Sequence, residues 1–230
     1  RYMHEMLSYG NYLYAIGGNT TSGIRQPSVY RNVVAADGSL GPWTNEASLP
    51  TGVQNFGAAV ANGMFYVIGG QEGGSEGTTT TRYTKVNADG SLDPWQLGPN
   101  IPSPTFGLDA VGVTVAGAYL YAMGGSDSMD TSQPVDKVFV SPLSPYGTPG
   151  PWSPTTPLPE PLGRLQVVEH AGRIYGLGGE ELGSRQASAR GYMGTTLADG
   201  TIGSWTRLPD MPAARSNGAA MIYNPAFRGS

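Results

Sequence analysis

Four times a short apolar run that contains tyrosine ends in the pair Gly-Gly, at Gly17-Gly18, Gly69-Gly70, Gly124-Gly125 and Gly178-Gly179. The four tryptophans, Trp43, Trp95, Trp152 and Trp205, keep the same beat, following the second glycine by 25, 25, 27 and 26 residues. Two independent markers repeating in phase mean one supersecondary unit used four times. The second copy shows the unit most plainly. Phe56 to Ala61 is a small-residue strand. Asn62-Gly63 is a hairpin turn, because both central residues of the favoured two-residue turn need positive φ. Met64 to Ile68 is a continuously apolar strand of the kind buried on both faces. After Gly69-Gly70 and a polar loop, Thr79 to Asn87 alternates as a third strand. Ala88-Asp89-Gly90-Ser91 turns the chain, Trp95 opens a short fourth strand, and Ile101-Pro102 closes the unit. The other copies close with Leu49-Pro50, Leu158-Pro159 and Met211-Pro212. Glycine and proline interrupt every possible helical pattern.

Composition fits this reading. Glycine (35) and proline (19) are abundant, but they fall periodically between aromatic strands and so mark turns, not disorder. Charged residues are only 13% of the chain and the net charge is −4. The 13 basic residues are scattered, which argues against a nucleic-acid partner. No apolar run approaches the ~20 residues of a membrane-spanning helix. The absence of cysteine excludes disulfides, thiolate metal sites and cysteine nucleophiles. Scarce lysine with much Ser, Thr, Gly and Asn leads us to expect an extracellular or cell-surface protein. Asn19-Thr20-Thr21 matches the glycosylation acceptor pattern, a pattern that arises readily by chance in an Asn-rich chain.

Four antiparallel strands per ~50-residue repeat describe a propeller blade. The apolar strand ending in Gly-Gly, the alternating third strand, and the tryptophan followed by Leu-Pro resemble the kelch-type β-propeller family over residues 2 to 224. The resemblance implies an all-β, kelch-like propeller of four complete four-stranded blades, at about 1–50, 51–103, 104–160 and 161–212. One extra inner strand follows at 213–224, where Arg215 to Asn224 matches the start of the second copy. This surplus strand leads us to expect a fragment of a longer propeller, or else a small ring or an assembly joined through residues 215–224. Kelch-type propellers are mostly binding scaffolds, with a minority of enzymes.

Two sets of loops fall on opposite faces of such a propeller. The Asn-Gly-like hairpins and Asp-Gly turns are short and stereotyped. The loops after each Gly-Gly vary, and they share a face with the segments leading into each inner strand. Variable loops on a rigid scaffold are where binding sites belong. The expected ligand-binding residues are Arg25, Asn55, Phe56, Phe106, Arg164, Arg185 and Arg215. The arginines could converge there to grip a carboxylate, and Asn55 and Arg164 hold equivalent positions in their copies. Ordinary solvation or packing between blades is the competing explanation for each arginine.

Catalytic patterns are weak. His4 and His170 lie at different depths of their strands, so a shared metal site with Glu5 and Glu169 is not expected. Ser126-Asp127-Ser128-Met129-Asp130 lacks the spacing of an EF-hand and reads as a solvated acidic loop. A copper-radical oxidase of the galactose-oxidase kind would need the missing cysteine. Asp37, Asp89 and Asp199 each precede their tryptophan by 6 residues, one more than in the structural Asp-boxes of sialidases. The expectation is therefore a non-enzymatic module without cofactors that binds a protein or a glycan. The rivals are an enzyme on acidic carbohydrate, resembling a sialic-acid epimerase or lyase, and a structural repeat that assembles through its open edge.

Overall fold

A computed structural model of the chain describes residues 1–102, 107–126 and 134–222. Every regular element among them is a strand. The first sheet holds β1 (Glu5–Tyr9), β2 (Tyr12–Ile16), β3 (Val29–Val33) and β4 (Thr44–Glu46) in that order. The second holds β5 (Gly57–Ala61), β6 (Met64–Ile68), β7 (Thr81–Lys85) and β8 (Gln96–Leu97). The third holds β9 (Gly112–Ala116), β10 (Tyr119–Met123), β11 (Val138–Pro142) and β12 (Ser153–Pro154). In the fourth blade a short separate pair, β13 (Leu162–Gly163) with β16 (Glu180–Glu181), accompanies the sheet of β14 (Gln166–His170), β15 (Arg173–Leu177), β17 (Gly191–Thr196) and β18 (Ile202–Arg207). All pairings are antiparallel, and β1, β5, β9 and β14 are the inner strands. The Asn62-Gly63 turn has φ of 50° and 72°, as its sequence requires.

The core lies between blades. Side chains alternate across a strand. On β6, Phe65 and Val67 pack with Tyr14, Ile16 and Val29 of the first blade. Their neighbours Tyr66 and Ile68 pack with Leu120, Phe139 and Trp152 of the third. That double burial is why the strand reads as an unbroken apolar run. A third cluster joins Tyr121 and Met123 to Ile174 and Tyr192.

The Gly-Gly pairs are the contact points between blades. Both glycines of each of the four strand-ending pairs have positive φ. The second donates its N–H to the next blade: Gly18 to Val53 at 2.8 Å, Gly70 to Leu108 at 2.8 Å, Gly125 to Leu162 at 3.0 Å and Gly179 to Arg215 at 2.8 Å. A Cβ on Gly69, Gly124 or Gly178 would collide with the carbonyl oxygen of that same acceptor residue. Glycine is needed for the conformation and for the approach alike.

The segment beyond the fourth blade sits where a fifth inner strand would begin. Besides accepting from Gly179, Arg215 donates its backbone N–H to Ser188 at 2.9 Å. Residues 213–222 form no strand ladder. The expected edge at Tyr223-Asn224 lies outside the described residues, as do Phe106, Asp127 and Asp130.

Candidate functional site

One backbone feature recurs at the start of every inner strand. Met3, Asn55, Ala110, Arg164 and Asn217 have φ of 56°, 52°, 53°, 54° and 52°. Left-handed backbone is uncommon outside glycine, and here five equivalent positions adopt it. The residue before this turn bridges the residue after Gly-Gly, in the pairs Tyr2 with Asn19, Gln54 with Gln71 and Asp109 with Ser126. In the fourth blade the bridge lengthens into β13 and β16. All five turns border one cavity of about 600 Å³ at the meeting point of the inner strands. His4, Glu5, Met6, Phe56 and Gln166 line it further in.

A belt of polar side chains surrounds this mouth. Asn19 Nδ2 donates to Gln54 Oε1, Gln54 Nε2 donates to Gln71 Oε1 at 2.6 Å, and Gln71 Nε2 donates to Asp109 Oδ2 at 3.1 Å. All four residues are buried, so the belt ties three blades together where water cannot satisfy these groups. It also disposes of the glycosylation pattern, since the Asn19 amide faces inward. Farther round, Arg164 Nε lies 3.3 Å from Glu180 Oε2, and its Nη1 donates to Asn217 Oδ1 at 2.9 Å. Burial pushes the Asp109 carboxyl up to about 6 against the opposing charge of Arg164. Burial alone pushes Glu5 up to about 7. His4 is held below its ordinary value, first by burial and then by the positive N-terminus and Arg1.

The expected site residues divide. Asn55 and Arg164 both border the mouth. Phe56 reaches it too, but it is only 3% exposed and belongs to the core against Gly17, so it is a floor and not a projecting anchor. The arginines do not converge. Arg25 donates to the carbonyls of Gly73 (2.7 Å) and Gly74 (2.6 Å), holding the second blade's variable loop. That loop is gripped again by an ion pair between Glu72 and the fully buried Arg82. Arg185 and Arg215 are exposed and lie outside the mouth lining. Arg215 acts through its backbone at a position held by Val53, Leu108 and Leu162 elsewhere. The histidines are separated, His4 at the mouth and exposed His170 at the far end of β14. Among the described residues no three His, Cys, Asp or Glu side chains are grouped to hold a metal ion. No described helix is long and apolar enough to cross a membrane.

Sequence reasoning missed Met3, Ala110 and Asn217 as members of the rim. Extending the equivalence of Asn55 and Arg164 to the remaining copies finds them. It considered Glu5 only beside a histidine pair.

No family model matches the chain. The chain is 26% identical over 97% of its length to Kelch-like protein 23 from Mus musculus, Pongo abelii and Homo sapiens. It spans 36% of the length of these relatives. Among solved structures, "Structure of YjhT" superposes with a TM-score of 0.69 at 10% identity, covering 88% of this chain and 68% of that one. With four blades joined through Gly-Gly and tryptophan, the chain has a kelch-like β-propeller fold.

Proposed function

We propose that the protein is a non-enzymatic kelch-type binding module that receives a protein segment at the axis mouth. One observation carries this reading. Five copies of a single left-handed turn place five side chains of four kinds around one cavity, whereas the repeat's glycines and most of its tryptophans are absorbed in packing. A rigid frame with a variable rim is the arrangement expected of a recognition surface. Exposed Met3 and Met6 give the rim an apolar component suited to a peptide.

The test is selection from a displayed peptide library, run beside a glycan array. The reading expects peptides whose binding is lost in a Met3→Asp, Met6→Asp variant. Binding should persist in Leu97→Asp, on the far outer strand. Selected peptides indifferent to the rim change, or binding by glycans alone, would overturn it.

An enzyme on acidic carbohydrate is the second reading. In its favour, Glu5 and Asp109 are carboxyls raised toward neutrality, the range useful for general acid catalysis. Against it, Arg164 is already engaged by Glu180 and Asn217. Conversion of sialic acid, followed by proton NMR, is the observation that would establish it.

A further inference from the structure

Glu5 occupies a position that the second and third blades fill with glycine. A Cβ on Gly57 or Gly112 would collide with Val113 or Val167 of the following inner strand. By the same register, the residue facing Glu5 is Ala58, smaller than valine by two carbons. The space so released admits a carboxyl into the crevice between β1 and β5, where it opens into the mouth.

The nearby cations are engaged elsewhere. Arg1 donates to the carbonyls of Gly17 (3.1 Å) and Ser28 (2.9 Å) and stacks 4.7 Å over the Tyr30 ring. Arg164 belongs to Glu180 and Asn217. Among the described residues no side chain forms an ion pair or hydrogen bond with the Glu5 carboxyl. Its raised proton affinity is the mark of a partly buried acid with no cation beside it. The mouth beside it is lined by Met3, Met6 and the edge of Phe56, together with the polar side chains of His4, Asn55, Arg164 and Gln166. A carboxyl without a partner, beside exposed methionines, matches a charged head on an aliphatic stem.

We propose that Glu5 anchors a lysine or arginine side chain of the protein segment received at the mouth. This rests on the binding-module reading and names the chemistry its ligand must carry. Bringing a cation to Glu5 supplies the partner that the fold withholds and favours the ionised carboxylate.

The test uses three capped pentapeptides, with lysine, arginine or norleucine flanked by glycines. Binding is followed by NMR of ¹³C-methyl-labelled methionines, which reports directly on Met3 and Met6. The lysine and arginine peptides are expected to bind at least tenfold more tightly than the norleucine peptide. Glu5→Gln should remove that preference without lowering the melting temperature, while Asp210→Asn, an exposed carboxylate, should leave it intact. Equal binding of all three peptides, an unchanged preference in Glu5→Gln, or no shift of either methionine would each overturn the anchor. If library-selected peptides still occupy the mouth in Glu5→Gln with unchanged affinity, the anchor fails while the binding-module reading stands.

Discussion

Trp95 donates its indole N–H to the carbonyl of Ala47 at 2.9 Å, linking the second blade to the first at a point four residues beyond Trp43. The same offset recurs. Trp152 reaches Pro99 at 3.1 Å, and Trp205 reaches Thr156 at 3.1 Å. Each tryptophan therefore clamps its blade onto the one before. Trp43 has no preceding blade among the described residues and is 46% exposed, against 9% for Trp95 and 6% for Trp152. Replacing Trp95 or Trp152 by alanine should cost about 3–5 kcal/mol. Trp43→Ala should cost about 0.5 kcal/mol, as at an ordinary surface site. Urea unfolding of the three variants measures the difference.

The second strands carry a clamp in the opposite direction. Tyr14, Tyr66 and Tyr121 donate their hydroxyls to Gly90, Gly147 and Gly200, in the outer turns of the next blades, at 2.6, 2.8 and 2.7 Å. Burial pushes all three phenols up to about 12, so they remain donors throughout the useful pH range. Tyr66→Phe and Tyr121→Phe would each strand a buried carbonyl and should cost about 1–3 kcal/mol. Tyr175 is the fourth member, with no following turn among the described residues. Tyr175→Phe should be neutral within about 0.5 kcal/mol in the same unfolding experiment.

Glycine substitutions separate conformation from contact. Gly17 has φ of 59°, and a Cβ there would lie 2.8 Å from the Phe56 ring and 2.9 Å from the Val53 oxygen. Gly23 has φ of 77° but open space around it. Gly23→Ala should therefore cost only the left-handed strain of about 1–2 kcal/mol. Gly17→Ala adds overpacking of about 1–3 kcal/mol to that strain. A calorimetric melting temperature clearly lower for Gly17→Ala than for Gly23→Ala is the expected result.

These contrasts explain what the sequence could disclose. Gly17 and Trp95 answer geometric demands that few other residues can meet, so the same letters return in each copy and the blades are legible. The left-handed rim turn makes a weaker demand. Asparagine tolerates it and advertises it at Asn55 and Asn217, but methionine at position 3 and alanine at position 110 carry no such sign. The arginines misled because their reach is long. Arg25 finds carbonyls at Gly73 and Gly74 in another blade's loop, a destination that no local pattern encodes. Glu5 was hidden for a different reason: its meaning lies in the glycines at its equivalent positions and in the small residue across the crevice.

Acid–base behaviour offers a last test, because the mouth groups pull in opposite directions. Asp109 and Glu5 bind protons more tightly in the folded chain, at about 6 and about 7, than carboxyls do when unfolded. Their stabilising contribution is complete below the unfolded carboxyl range near 4 and is lost as pH rises through 6 and 7. His4 is depressed, so its contribution is present above the ordinary histidine value and is lost as pH falls below it. Exposed Asp37, Asp89 and Asp199 are lowered chiefly by Ser39, Ser91 and Thr201 hydroxyls, and they weaken the fold only in stronger acid. Unfolding free energies measured from pH 4 to 8 should show a loss between about 4 and about 7 that is reduced in Glu5→Gln and in Asp109→Asn. The two variants should differ in extent: Asp109→Asn should flatten only the part of the decline below about 6, whereas Glu5→Gln should flatten it up to about 7. A profile unchanged by either substitution would mean that neither carboxyl is held neutral by its surroundings.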